Sequence, residues 1–299
     1  MEQSAAEFIE SCPLCNHPEH VSYLELDDYF LTHEKFSILK CTECGLMRTN
    51  PQPSGRNIGR YYDSPEYISH STARKSFKDR LYDLVRKRTL VAKKNILDKY
   101  SKGKSLLDIG CATGVFIDYC RKKGYTVQGI EPDEKCRNYA RTVLNLEVND
   151  TDAMKSMKDK SFDVITMWHV LEHVGDLNER MMLISKMLKD DGVLIVALPN
   201  PDSYDANYYG KYWAAYDVPR HLFHFTKDAF KKLCNKFSFE VINILPMMFD
   251  SFYISLLSEK YSKGKTSLFN AFLIGLKSNL KAQSGTNHSS LIYIIRKKN

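Results

Sequence analysis

An α/β fold built around a parallel sheet is predicted by three features of this 299-residue sequence. Short apolar runs alternate with stretches of helical period, one of those runs is almost continuously apolar, and a glycine turn joins the first strand of the series to its helix. Leu106, Leu107 and Ile109 are strand formers, and Gly110 and Gly114 bracket a turn in which backbone can approach a ligand closely. Further strands are expected at Thr126–Ile130, Leu146–Asp150, Phe162–Thr166, Gly192–Leu198 (closed by Pro199), Phe239–Leu245 and Leu291–Arg296. Trp168–Val174 is expected to open a helix after the fourth strand. Helical patterns fill the gaps at Phe116–Lys123, Glu134–Leu144, Leu177–Leu188 and Lys227–Phe237.

The chemistry of the first turn narrows the ligand. Glu131, about twenty residues beyond the turn, is placed to accept the two ribose hydroxyls of an adenosine. The turn itself reads Gly110-Cys111-Ala112-Thr113-Gly114, with Asp108 before the first glycine. A carboxylate there repels a pyrophosphate and suits a cationic ligand, such as the ammonium and sulfonium of S-adenosylmethionine (SAM). Asp108 and the missing middle glycine thereby disfavour a nicotinamide-dependent oxidoreductase.

LLDIGCATG resembles the first motif of the class I SAM-dependent methyltransferases, with alanine at the middle small position. Alanine is accommodated there by backbone at negative φ. The resemblance covers roughly residues 100 to 299, and FDVITMWHVLEHV followed by DGVLIVALPNP is its most specific part. It implies a Rossmann-like seven-stranded methyltransferase sheet. Asp108, Gly110, Ala112 and Gly114 would form the cofactor turn, with Glu131 on the ribose, Thr151 and Asp152 near the adenine, and Trp168 with His169 lining the pocket.

The N-terminal part carries a second signal. Cys12-Pro13-Leu14-Cys15 and Cys41-Thr42-Glu43-Cys44-Gly45 are two CxxC knuckles separated by twenty-five residues, and they offer four thiolates for a tetrahedral, structural zinc ion. Gly45 frees amide N–H groups to turn around the sulfurs. Cys111, Cys120, Cys136 and Cys234 are unpaired in sequence and read as small buried hydrophobes.

With 43% hydrophobic and 26% charged residues the chain can bury one α/β core plus a small metal-stapled module. The acidic start MEQSAAEFIE and the absence of a long apolar stretch predict no membrane span and a cytoplasmic location. The net charge of +7 is concentrated at Ala73–Lys104, which holds twelve Lys or Arg against three Asp. That run reads first as one solvated helix face, patterned by Phe77, Leu81, Leu84 and Val85, and nucleic acid is an unlikely partner. The expected organisation is a zinc module over 1–60, a linker and basic helix over 61–100, and the methyltransferase domain over 101–299. An insertion at 246–288 reads as two packed helices, with a pocket cap or a homodimer face as alternatives.

Substrate chemistry is expected in the segments after the fourth and fifth strands. His169, Glu172 and His173 have the spacing of one helix face. NPDSYDANYYGKYWAAYDVPRHLFHFT holds eight aromatics with Asp217, Arg220, His221 and His224, and is read as a lid that shields the sulfonium and excludes water. His169, His221 and His224 are the candidate bases, with Asp217 as an orienter. LEHV resembles the segment of ubiquinone-biosynthesis O-methyltransferases in which an acidic pattern can hold a divalent ion, although His169 here replaces the first carboxylate. The knuckles, YYDSPEY and WxxYDVPRHLFHFT together resemble bacterial zinc-containing methyltransferases that modify sugars or secondary metabolites. The function expected is therefore O- or C-methylation of a small molecule, sugar, secondary metabolite or quinol-like. The alternative is a methyltransferase or binding module acting on RNA or protein through the knuckles and basic helix; MWHV in place of an NPPY-type motif argues against base methylation.

Overall fold

The computed structural model describes residues 6–55, 57–63, 77–283 and 286–298. Its strands are β1 (Ala6–Glu7), β2 (His20–Asp27), β3 (Lys35–Cys41), β4 (Met47–Asn50), β5 (Gln52–Pro53), β6 (Ser105–Ile109), β7 (Thr126–Ile130), β8 (Val148–Asn149), β9 (Phe162–Trp168), β10 (Leu188–Pro199), β11 (Phe223–His224), β12 (Phe239–Pro246) and β13 (Ser290–Lys297). The helices are α1 (Phe77–Tyr100), α2 (Val115–Arg121), α3 (Glu134–Thr142), α4 (Leu177–Met187), α5 (Tyr204–Tyr209), α6 (Lys227–Lys236), α7 (Asp250–Lys263) and α8 (Leu268–Ala282). The seven-stranded sheet anticipated from the sequence runs in the order β12-β13-β10-β9-β6-β7-β8. Its β6–β7, β6–β9 and β7–β8 pairs are parallel.

The chain divides into two compact units. One comprises Met1–Tyr67, His169–Asn178 and Ala197–Tyr293, and the other Ile68–Trp168, Glu179–Val196 and Ile294–Asn299. In the second unit the interior strands carry apolar side chains on both faces. Leu106, Leu107, Val164, Ile165, Leu194 and Ile195 are fully buried, as burial under helices on both sides requires. Asp133 caps α3 by accepting the Cys136 N–H. Of the basic run, residues 73–76 lie outside the described residues; Arg86, Lys87 and Arg88 are exposed, while Leu97 of the same helix is fully buried.

The first unit contains a four-stranded antiparallel sheet in the order β11-β4-β3-β2. Its core joins Leu26, Phe36 and Ile38 to Tyr209, Trp213 and Tyr216 of the aromatic segment. That segment was expected to work as a lid, and the structure corrects this. Trp213, Tyr216, Phe223 and Phe225 are all at most 2% exposed; they fill an interior that the short strands alone would leave open.

Four local expectations are also corrected. Trp168–Val174 is not a helix: β9 continues to Trp168, the chain breaks at His169 with φ 58°, and only Leu171–His173 form one 3-10 turn. Ala112 does not sit at negative φ but at 49°, a left-handed conformation that costs a non-glycine residue strain. The third strand shrinks to β8 and the fifth begins four residues early, at Leu188. The 246–288 insertion does form two helices, packed so closely that a Cβ on Gly275 would meet the Phe252 ring at 2.8 Å.

Candidate functional site

The second unit brings the nucleoside-type residues to the carboxyl ends of parallel strands, where a ligand of such a sheet is received. Pairing places Thr166 of β9 directly opposite Asp108 of β6, and its hydroxyl donates to Asp108 Oδ1 at 2.5 Å. Burial pushes the Asp108 carboxyl up to about 7; the Thr166 hydroxyl and the Lys93 ammonium act against this, and Glu131 adds to it. Glu131 follows β7 and is 8% exposed. Its two oxygens accept the Ala112 and Asp133 N–H groups at 2.8 and 2.9 Å. Burial likewise raises the Glu131 carboxyl, opposed by those two backbone donors.

Gly110 and Gly114 both have positive φ, and a Cβ at Gly114 would meet Leu146 at 2.7 Å. Trp168 closes this group: its ring stands edge-to-face with Phe116, Lys93 lies over it at 4.3 Å, and its buried indole N–H has no hydrogen-bond partner. Thr151 opens a 3-10 turn capped by Asp150, and Asp152 is almost fully exposed on it.

The residues fit SAM. Two buried carboxylates retain acceptor capacity for a cationic tail and a ribose, the turn has no Cβ at its two positive-φ glycines, and a buried donor, the Trp168 indole N–H, remains unpaired. A cavity of about 340 Å³ in the same unit is lined by Ser105, Thr126 and Phe162. Those residues begin their strands, so it opens at the wrong end of the sheet.

In the first unit the four knuckle sulfurs lie within 4.8 Å of one another. The contacts Cys12–Cys44 and Cys15–Cys41 measure 3.4 and 3.6 Å, too long for disulfides. Four bonds of about 2.3 Å in a tetrahedron would set the sulfurs about 3.8 Å apart, so the set is compatible with zinc. Burial opposes ionisation of Cys41, but the Cys44 and Glu43 backbone N–H groups bring its thiol down to about 7. Lys232 donates to the Cys44 carbonyl, and Lys236 to those of Pro13 and Leu14.

The same unit holds the histidine cluster. His169 lies between two carboxylates, with Nε2 2.9 Å from Asp250 and Nδ1 3.3 Å from Glu172. Burial lowers its basicity, but hydrogen bonds to Asp250 and Glu172 outweigh that and raise it to about 10. Glu172 is buried and held in its charged form by His169. Its Oε2 has no hydrogen-bond partner.

A carboxylate oxygen of Glu172 and one ring nitrogen each of His173 and His221 lie within 4.8 Å of one another. His173 Nδ1 is 2.9 Å from the Arg220 carbonyl, and His221 Nδ1 is 2.9 Å from that of Ala215. Carbonyls only accept, so both Nδ1 atoms carry hydrogen, and in the neutral imidazole the lone pair is then on Nε2. The donor set suits a divalent ion, but it excludes His169, the residue that replaces the first carboxylate of the resembled pattern.

His224 and Asp217 have other tasks. The Thr49 hydroxyl donates to the His221 carbonyl and accepts from His224 Nε2, while burial pushes His224 down to about 3. His224 is a neutral structural donor. Asp217 does not orient a histidine; it binds Nε and Nη2 of Arg220, whose Nη2 also reaches the fully buried Asp28 at 2.8 Å. The sequence reading missed Asp250, Thr166 and Asp28. Strand register signals Thr166, since the first and fourth strands are neighbours; no local signal marks Asp250 or Asp28.

A family described as "Methyltransferase domain" matches residues 78–244, more than half of the chain. The ubiquinone biosynthesis O-methyltransferase of Actinobacillus pleuropneumoniae is 33% identical over 109 residues, which is 33% of this chain and 47% of that protein. The enzyme of the same name from Pelagibacter ubique is 32% identical over 117 residues, 34% of this chain and 45% of that one. The matched region thus spans about half the length of these curated relatives. Among solved structures, a geranyl diphosphate methyltransferase in complex with SAM superposes with a TM-score of 0.53 at 12% identity, covering 76% of this chain and 93% of that one. The Haemonchus contortus phosphoethanolamine N-methyltransferase 2 gives 0.51 at 16% identity, covering 85% and 63%. At these identities the superpositions establish the fold.

Proposed function

This chain belongs to the methyltransferase-domain family, and on that premise we propose that it transfers a methyl group from SAM to oxygen or carbon of a small-molecule acceptor. The observation that carries the reading is the pair of buried carboxylates, Asp108 and Glu131, at the ends of adjacent parallel strands. SAM supplies the electrophilic methyl. Asp108 holds the cationic end of the cofactor, Glu131 the ribose, and the glycine turn admits the cofactor to backbone contact.

The acceptor-side residues are proposed from the histidine cluster. His221 is the base: Nδ1–H is fixed by the Ala215 carbonyl, so Nε2 can take a proton from an acceptor hydroxyl or acidic carbon. Glu172 and the cationic His169 supply the surrounding charge. His224, neutral and bound to Thr49, holds the loop. Aromatic and imidazole groups in a buried setting suit a compact, unsaturated or hydroxylated acceptor better than a polymer. The knuckles are proposed to hold one structural zinc.

Calorimetry with purified protein tests the premise. Heat is expected for SAM and for S-adenosylhomocysteine and not for NAD; silence for both adenosyl ligands would remove the enzyme assignment. With binding in hand, transfer of an isotopically labelled methyl group into a metabolite extract identifies the acceptor class.

A further inference from the structure

Helix α8 faces the wrong way for an ordinary surface helix. Apart from Ile274, its buried positions are small or polar, namely Ala271, Gly275, Ser278, Asn279 and Ala282, while most of its large apolar side chains point outward. Leu268, Phe269, Phe272, Leu273, Leu276 and Leu280 are all exposed, Phe269 by 75% and Leu268 by 69%. At about 100° per residue these six fall within an arc of roughly 140°, with buried Ala271, Ile274, Gly275, Ser278 and Ala282 outside it and buried Asn279 just inside one edge. A surface helix normally buries that stripe and shows polar residues to water.

The charge around this face has one sign. α8 contains no acidic residue, and Lys277 falls at the edge of the apolar arc. Lys260, in the last turn of α7, and Lys265, between α7 and α8, are exposed. Both carboxylates of the hairpin are engaged elsewhere: Asp250 binds His169, and the fully buried Glu259 binds Lys263. No described helix is long and apolar enough to cross a membrane, and α8 has 15 residues.

We propose that the α7–α8 hairpin docks the protein on an anionic lipid surface. The outward face of α8 lies at the boundary of headgroups and acyl chains, and Lys260, Lys265 and Lys277 meet lipid phosphates. Charge decides against a second copy as the occupant. A two-fold contact through this face would set its lysines against themselves with no carboxylate to receive them, whereas an anionic bilayer complements both the apolar arc and its rim.

Co-sedimentation of the full chain with phosphatidylcholine vesicles, with and without phosphatidylglycerol, tests this without any methyl donor, so its outcome is independent of the proposed activity. Binding is expected to the phosphatidylglycerol vesicles and to weaken with added salt. A Lys260→Gln/Lys265→Gln/Lys277→Gln variant is expected to lose roughly fivefold per lysine. A Leu268→Ser/Phe269→Ser variant should lose roughly tenfold or more, with an unchanged melting curve because both side chains are exposed. Absence of co-sedimentation, or binding that both variants leave intact, overturns the proposal. So does light scattering that shows a dimer abolished in Leu268→Ser/Phe269→Ser, which would assign the face to a second copy.

Discussion

Nε2 of His169 lies 2.9 Å from Asp250, a residue 81 positions further along the chain. With Glu172 on its other nitrogen, the imidazole is kept as a cation and cannot take a proton at neutral pH. The contact also anchors the first residue of α7 to the break after β9, where His169 holds a positive φ. His169 is therefore a fixed charge at neutral pH.

That charge has a consequence for stability. The folded-state value of His169, about 10, lies above the unfolded value of 6.5. Its contribution is fully present below pH 6.5 and is lost as pH rises through 10. Asp250→Asn should lower unfolding free energy by about 1–3 kcal/mol at pH 7 and flatten the decline between pH 7 and 10. Urea titrations of both proteins across that range read this directly; parallel pH dependence in the two would show that Asp250 does not hold the proton.

Asp108 makes a prediction for cofactor affinity. Its carboxyl is pushed up to about 7 by burial, so near neutrality part of the free protein carries a neutral group where a cation is to bind. SAM affinity should strengthen as pH rises through 7 and then level off. Asp108→Asn should remove that dependence and weaken binding by about 10–100-fold, the loss of a charge-assisted contact. Calorimetry at several pH values distinguishes this from a misfolded variant, which would bind no adenosyl ligand and melt early.

The two neighbouring histidines are predicted to separate function from fold. His221→Asn should reduce kcat by about 10²–10⁴-fold with little change in melting temperature, as for loss of a general base. His224→Gln should do the reverse. The folded value of His224, about 3, lies below the unfolded 6.5, so the wild-type fold loses stability as pH falls below 6.5, and His173, pushed down to about 4 by burial, adds to that loss. His224→Gln should remove part of this acid sensitivity. Equal activity losses in both variants would mean that neither is the base.

What the sequence made legible followed from local rules. Asp108, Gly110, Gly114 and Glu131 could be placed because strand, turn and helix are specified by neighbours in sequence, and the CxxC spacing fixed which sulfurs could meet. The histidine cluster was only half legible. Spacing suggested a helix through His169 and His173, but His169, held between Asp250 and Glu172, sits at φ 58° and only one 3-10 turn follows it. Arg220 drew Asp217 away from the histidines because Asp28, 192 residues distant, completes a buried charge cluster that no local pattern announces. The aromatic segment was read as a lid, yet its rings Tyr209, Trp213 and Tyr216 belong to the core of a unit whose strands are short.

The knuckle thiols supply a last test. Four sulfurs without disulfide geometry, three of them buried, are costly to keep as an unliganded cluster, and a tetrahedral ion would satisfy all four at once. Elemental analysis of protein prepared without chelator should find about one zinc per chain. Cys41→Ser should lose it, because serine is a poor zinc ligand and Cys41 has the thiol brought down to about 7. A structural site of this kind contributes on the order of 10 kcal/mol to local folding, so the variant should expose the 12–44 segment to protease. The Asp108 and Glu131 groups belong to the other compact unit, and SAM binding is expected to survive. Zinc retained in Cys41→Ser at wild-type stoichiometry would place the metal elsewhere in the chain.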